Sequence, residues 1–105
     1  MTGFEEREQG FEKNFERQQE LTFKAKARRN HLLGLWAAAQ LGLAGAAAEA
    51  YARGIADPSQ HLHGDGEIVA KIVSDLQAKG IALDATRVTL ELAHFAAQAE
   101  KQLKS

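Results

Sequence analysis

From about Glu20 onward the apolar residues recur at three- and four-residue steps, and the first three runs each end at residues that favour a helix stop. The first run is Leu21, Ala25, Leu32, Trp36, Ala39 and Leu43, predicting a helix from about Glu20 to Leu41. Gly42 can end it, because without a Cβ it enters the left-handed region cheaply, and Leu43 then packs back on the last turn. Gly34 inside this helix costs about 1 kcal/mol against alanine. It marks either a close approach of a neighbouring helix or a bend. The second run, about Gly45 to Ala56, is rich in alanine and anchored by Tyr51 and Ile55 four residues apart. Asp57-Pro58 ends it, since the residue before proline avoids the helical region. The third, about Asp65 to Lys79, carries Ile68, Val69, Ile72, Val73 and Leu76 on one face. Gly80 stops it, with Ile81 reaching back to Leu76. Asp84 caps the fourth. Leu83 and Val88 staple its entry, and its apolar face continues through Leu92, Phe95, Ala96, Ala99 and Leu103 to about Lys104. No run alternates with period two, so no sheet is expected.

Short connections make successive helices antiparallel, which predicts an all-α fold: a small up-down four-helix bundle over residues 20–105. Its expected core is Leu32, Trp36, Leu43, Tyr51, Ile55, Ile68, Ile72, Leu76, Val88, Leu92, Phe95 and Leu103. With 105 residues, 45% of them hydrophobic, the chain suits one small domain with one appendage. A net charge of -1 and a pI near 6.4 argue against nucleic acid as partner. The absence of cysteine excludes disulfides and thiolate metal sites. The apolar run Ala44 to Ala48, with Gly45 inside it, is too short to span a bilayer, and the acidic start does not resemble a secretory signal. A soluble, cytoplasmic protein is expected.

The appendage is the opening stretch, "GFEEREQGFEKNFERQQEL". On a helix, Phe4, Phe11 and Phe15 fall within an arc of about 40°, on a rod otherwise made of charged and amide side chains. Helices packed into their own domain usually show a wider apolar face. Leu21 and Phe23 do not extend the stripe, because they point away from it. Gly10 weakens an isolated helix, and a stretch of this length is marginal alone. Residues 1 to about 19 are therefore expected to be a flexible segment, mostly disordered in the free protein, that becomes helical when the phenylalanines find pockets on a partner. The spacing leaves a second reading open, in which the segment is the fraying first helix of its own bundle.

Other chemistry is sparse. His61, His63 and Asp65 in "HLHGDG" could touch a metal, but two histidines in a loop rarely suffice, so no metal is expected and Asp65 reads as a helix N-cap. Arg28, Arg29 and His31 close the densest basic patch and could receive a phosphate or an acidic surface, although charge runs are usually solvated faces. His94 lies beside the core face next to Phe95 with no nucleophile or paired acid around it, and Trp36 is a core anchor. No enzyme is expected.

The N-terminal phenylalanine-and-acid pattern, "TFKAKARRNHLLGLWAA", "AYAR" at Ala50 to Arg53 and "GDGEIVAKIVSDL" together resemble the zeta subunit family, small regulators of the alpha-proteobacterial F-type ATP synthase. The most specific part is "ARRNHLLGLWA", Ala27 to Ala37. The resemblance implies a four-helix bundle with an N-terminal inhibitory segment, here Thr2 to about Gln19. That segment would enter the F1 interface between an alpha and a beta subunit near gamma, become helical, and block rotation in the hydrolytic direction. It implies contacts from Phe4, Glu5, Arg7, Glu8, Phe11, Glu12, Lys13, Phe15, Glu16 and Arg17. Some relatives bind adenine nucleotide on the bundle. This chain has no P-loop or glycine fingerprint, so weak ATP or ADP binding has only Arg28, Arg29 and His31 as candidates. No cofactor is required by this reading. The protein would be a monomer when free and would join the membrane-bound synthase on its F1 side. The alternatives are a nucleotide-sensing module and a general protein-interaction adaptor.

Overall fold

The computed structural model describes residues 2–57 and 64–104, with side chains described for residues 19–57 and 64–103. Four helices follow one another: α1 (Thr2–Gln40), α2 (Gly45–Ala56), α3 (Asp65–Ala78) and α4 (Ala85–Lys104). Among the described residues there is no strand. The chain forms an all-α four-helix bundle in which α1 is the common element, flanked by α2 on one side and α4 on the other, with α3 closing the bundle against α4.

The local stops act through the chemistry their residues allow. At the end of α1, Gly42 has φ 81°, its N–H donates to Ala39 O at 3.1 Å, and the Leu43 N–H donates to Ala38 O at 2.9 Å. The same pair of hydrogen bonds closes α3: Gly80 has φ 75°, Gly80 N–H donates to Gln77 O, and Ile81 N–H donates to Leu76 O, both at 2.9 Å. Each pair satisfies carbonyls that a helix end would otherwise strand. Asp84 caps α4 by accepting the Arg87 N–H on Oδ1 at 3.0 Å. Leu83 and Val88 beside it both join the core.

Two expectations about α1 are corrected. It starts at Thr2, not near Glu20, and its backbone passes through Gly10 without a break. Extending a helix that tertiary packing has already nucleated costs far less than starting one alone, and Glu, Gln, Arg and Lys propagate it well. Its buried phase is also one residue away from the expected one. Leu33, Ala37 and Ala38 are fully buried, whereas Leu32 and Trp36 are only partly so and Ala39 is exposed. Leu43 and Leu103 are likewise half-buried rather than central. The reason is contact distance. Helices come closest where side chains are small, and a Cβ placed on Gly34 would lie 2.7 Å from Ala52 Cα and 3.2 Å from the Ala52 and Ile55 Cβ atoms. Gly34 is thus the close approach of α1 to α2. Around it the core assembles from Leu33, Ala37, Ile55, Ile68, Val69, Ile72, Leu76, Val88 and Leu92, with Trp36, Tyr51 and Phe95 packed against its edge.

Candidate functional site

The end of α1 that enters the bundle carries the densest set of unusual side chains. At its centre is Arg29, which sits on the buried line of α1 four residues before Leu33 and is itself buried. A guanidinium removed from water must be paired. It is paired with Asp65, the first residue of α3: Nη2 donates to Oδ1 at 2.8 Å and Nη1 to Oδ2 at 3.2 Å, while Nε donates to Asn30 Oδ1 at 2.9 Å. This two-pronged geometry suits arginine better than lysine. It corrects the expectation for Asp65. The cap position of α3 is Gly64, with φ 105° and no side-chain cap bond, and Asp65 inside the first turn turns its carboxylate to Arg29. An acid in that turn also complements the helix dipole.

Arg28 and His31 do not join Arg29 in a common pocket. Arg28 Nε donates to Gln102 Oε1 on α4 at 2.8 Å, and His31 Nε2 lies 3.2 Å from Glu49 Oε2 on α2. Steps of about 100° per residue send the three side chains to three different helices. Each of the three side chains therefore ties α1 to one neighbour. A fourth polar tie joins α2 to α3, where the Tyr51 hydroxyl donates to Asp75 Oδ2 at 2.7 Å and Lys71 Nζ lies 3.0 Å from the same oxygen. Burial, and then the hydrogen bond and charge of Asp75, raise the Tyr51 pKa well above its ordinary value of 10.0.

Two open grooves flank Arg29. The larger, about 500 Å³, runs between α1 and α4 and is lined by Leu21, Thr22, Ala25, Lys26, Arg29, Ala96, Glu100 and Leu103. The smaller, about 180 Å³, lies between α1, the end of α2 and the start of α3, bordered by Phe23, Lys26, Asn30, Ala56, Asp65 and Ile68. Arg29 and Lys26 edge both.

The backbone of Phe4, Glu5, Arg7, Glu8, Phe11, Glu12, Lys13, Phe15, Glu16 and Arg17 belongs to α1, and their side chains lie outside the described residues. His61 and His63 also lie outside them. Among the described residues no cluster of three or more His, Cys, Asp or Glu is placed to hold a metal ion. His94 is exposed and meets Phe95 edge-on, with ring centroids 5.2 Å apart. Among the described residues no helix is long and apolar enough to cross a membrane.

Sequence reasoning did not find the Arg29–Asp65 pair. The signal was available: Arg29, Leu33 and Ala37 share one line of α1, and an arginine on a buried line calls for an acid.

The family model for ATPase inhibitor subunit zeta matches residues 1–102 of the chain. No curated protein and no solved structure matches it.

Proposed function

We propose that this chain, which belongs to the ATPase inhibitor subunit zeta family, restrains ATP hydrolysis by F1 by lodging residues 2–19 as a helix between an alpha and a beta subunit near gamma. The obstruction is mechanical, and the protein supplies no bond-making chemistry. The observation that carries the reading is the form of α1: one 39-residue helix whose last two turns pack into the core and whose backbone continues to Thr2, through the stretch where the sequence spaces Phe4, Phe11 and Phe15 for one helix face. At 1.5 Å per residue, residues 2–19 make a rod about 27 Å long, enough to reach into a subunit interface.

In this reading Phe4, Phe11 and Phe15 fill apolar pockets, while the charges from Glu5 to Arg17 match a charged rim and set specificity and encounter rate more than affinity. Phe11→Ala or Phe15→Ala should then weaken inhibition by about tenfold or more, and Glu12→Ala by much less. A titrated F1-ATPase assay measures this; equal or reversed losses would contradict the reading. The nucleotide-sensor alternative has weaker support, because Arg28, Arg29 and His31 diverge to three helices and two of them lie in none of the described grooves. Titration with ATP or ADP while following backbone amide shifts tests it.

A further inference from the structure

Where α1 emerges from the bundle it carries apolar surface that the fold leaves in water. Phe23 is 65% exposed and Leu21 43% exposed, and neither belongs to the core. Single exposed apolar residues are ordinary on any protein. These two differ in their placement. They stand about 200° apart around α1, so they occupy opposite flanks of one helix. Leu21 edges the α1–α4 groove, and Phe23 edges the groove that α1 makes with α2 and α3. Lys26 edges both grooves and has no hydrogen-bond or ion-pair partner among the described residues. Lys24, by contrast, is tied to Glu20 at 3.2 Å, and Arg28 to Gln102.

The second element of the argument is continuity. α1 runs unbroken through this region. Leu21 is four residues and Phe23 six residues beyond Arg17, hence about 6 and 9 Å farther along the axis. A rod with its N-terminal turns inside a cleft must bring residues 21–26 to the mouth of that cleft.

We infer that Leu21, Phe23 and Lys26 form a collar that seats the lip of the F1 cleft occupied by the N-terminal turns of α1, and that this lip is apolar and carries carboxylates. The inference rests on the proposed function. The phenylalanine stripe holds α1 from one side only. Apolar contacts on two further flanks fix its rotation about its own axis, and an unpaired ammonium between them favours an acidic partner over a basic one. The collar therefore adds affinity and orientation to those of the phenylalanine stripe, and the stripe alone supplies the block.

The test uses the full chain and purified F1, with affinity measured separately from inhibition at saturation. The Leu21→Ser/Phe23→Ser pair should bind F1 about tenfold or more weakly, yet inhibit to the wild-type limit once saturated. Lys26→Glu should weaken binding several-fold, by a factor that shrinks as salt rises. All three side chains are exposed, so these variants should melt with the wild type. Phe4→Ala/Phe11→Ala/Phe15→Ala should lose inhibition at saturation. If that triple variant fails to inhibit while the Leu21/Phe23 and Lys26 variants bind within twofold of wild type, the collar is wrong and the proposed function stands. If the triple variant inhibits fully, the reading beneath the collar is wrong. Sedimentation of the chain alone should show a monomer; a dimer abolished by the Leu21/Phe23 change would assign the collar to a second copy and overturn the inference.

Discussion

Gly34 and Gly54 both lie inside helices, and replacing each by alanine should move stability in opposite directions. In an unobstructed helix interior, alanine is better than glycine by about 1 kcal/mol, because glycine loses more backbone freedom on folding. Gly54 is exposed and a Cβ there meets nothing within 4 Å. It lies in the last turn of α2, where fraying reduces the gain, so Gly54→Ala should stabilise by about 0.5–1 kcal/mol. At Gly34 the same methyl would sit 2.7 Å from Ala52 Cα, a backbone atom that no rotamer change can move. An ordinary carbon contact needs about 3.5–4.0 Å, so α1 and α2 must separate by roughly 1 Å. That separation loosens Leu33, Ala37 and Ile55 together, all of them within 1% of full burial. Overpacking of this kind costs about 1–3 kcal/mol, and a backbone clash belongs at the upper end. After the helical gain of about 1 kcal/mol, Gly34→Ala should destabilise by about 2 kcal/mol, or about 10 °C in Tm for a domain of this size. Urea and thermal unfolding followed by far-UV circular dichroism measure both variants. A Gly34→Ala protein as stable as wild type would refute the close approach of α1 to α2. Destabilisation by Gly54→Ala would refute the propensity argument.

Asp65→Ala should cost about 2–3 kcal/mol, because it strands a buried guanidinium and removes an acid from the first turn of α3, whereas Arg29→Met should cost about 1 kcal/mol or less, since the carboxylate it releases is half-exposed. Urea melts of the two variants check the order, and an equal or reversed cost would show that Arg29 is not the buried partner. Tyr51→Phe should lose about 1 kcal/mol near neutral pH by removing the hydroxyl that Asp75 accepts. The raised Tyr51 pKa also sets a pH window. Below about pH 10 the phenol is neutral in both states, but above it the unfolded chain releases the proton while the folded one retains it, so stability should fall with rising pH. Tyr51→Phe should flatten that fall, and unchanged curves from pH 9 to 12 would count against the Tyr51–Asp75 hydrogen bond.

The helix ends were legible because their chemistry is local. Gly42, Gly80 and Asp84 each satisfy backbone groups within a few residues, so a short window of sequence contains both donor and acceptor. The buried phase of α1 was harder to read. Large residues at Leu32 and Trp36 dominate an apolar pattern, whereas the tightest contact is made by Gly34 and Ala52, whose small size is the point. Arg29 shares a line of α1 with Leu33 and Ala37, but which acid pairs with it was not legible, since Asp65 lies 36 residues away and its approach depends on how α3 meets α1. The spacing of Phe4, Phe11 and Phe15 is a property of the sequence, and their side chains lie outside the described residues. The exposure of Leu21 and Phe23 was not legible, because sequence gives no measure of where α2, α3 and α4 stop covering α1. The start of α1 at Thr2 depends on cooperativity with the packed half of the helix, which residue-by-residue propensity does not contain.

Among the described residues the buried apolar side chains begin at Leu33, so a chain lacking residues 1–19 keeps all of these and the Arg29–Asp65 pair. ATP hydrolysis by purified F1, titrated in parallel with the full chain and with this shortened one, therefore puts the N-terminal turns of α1 directly to the test. The full chain should suppress hydrolysis and the shortened chain should leave it running at the uninhibited rate. Equal suppression by both would place the inhibitory element in the bundle and contradict the account.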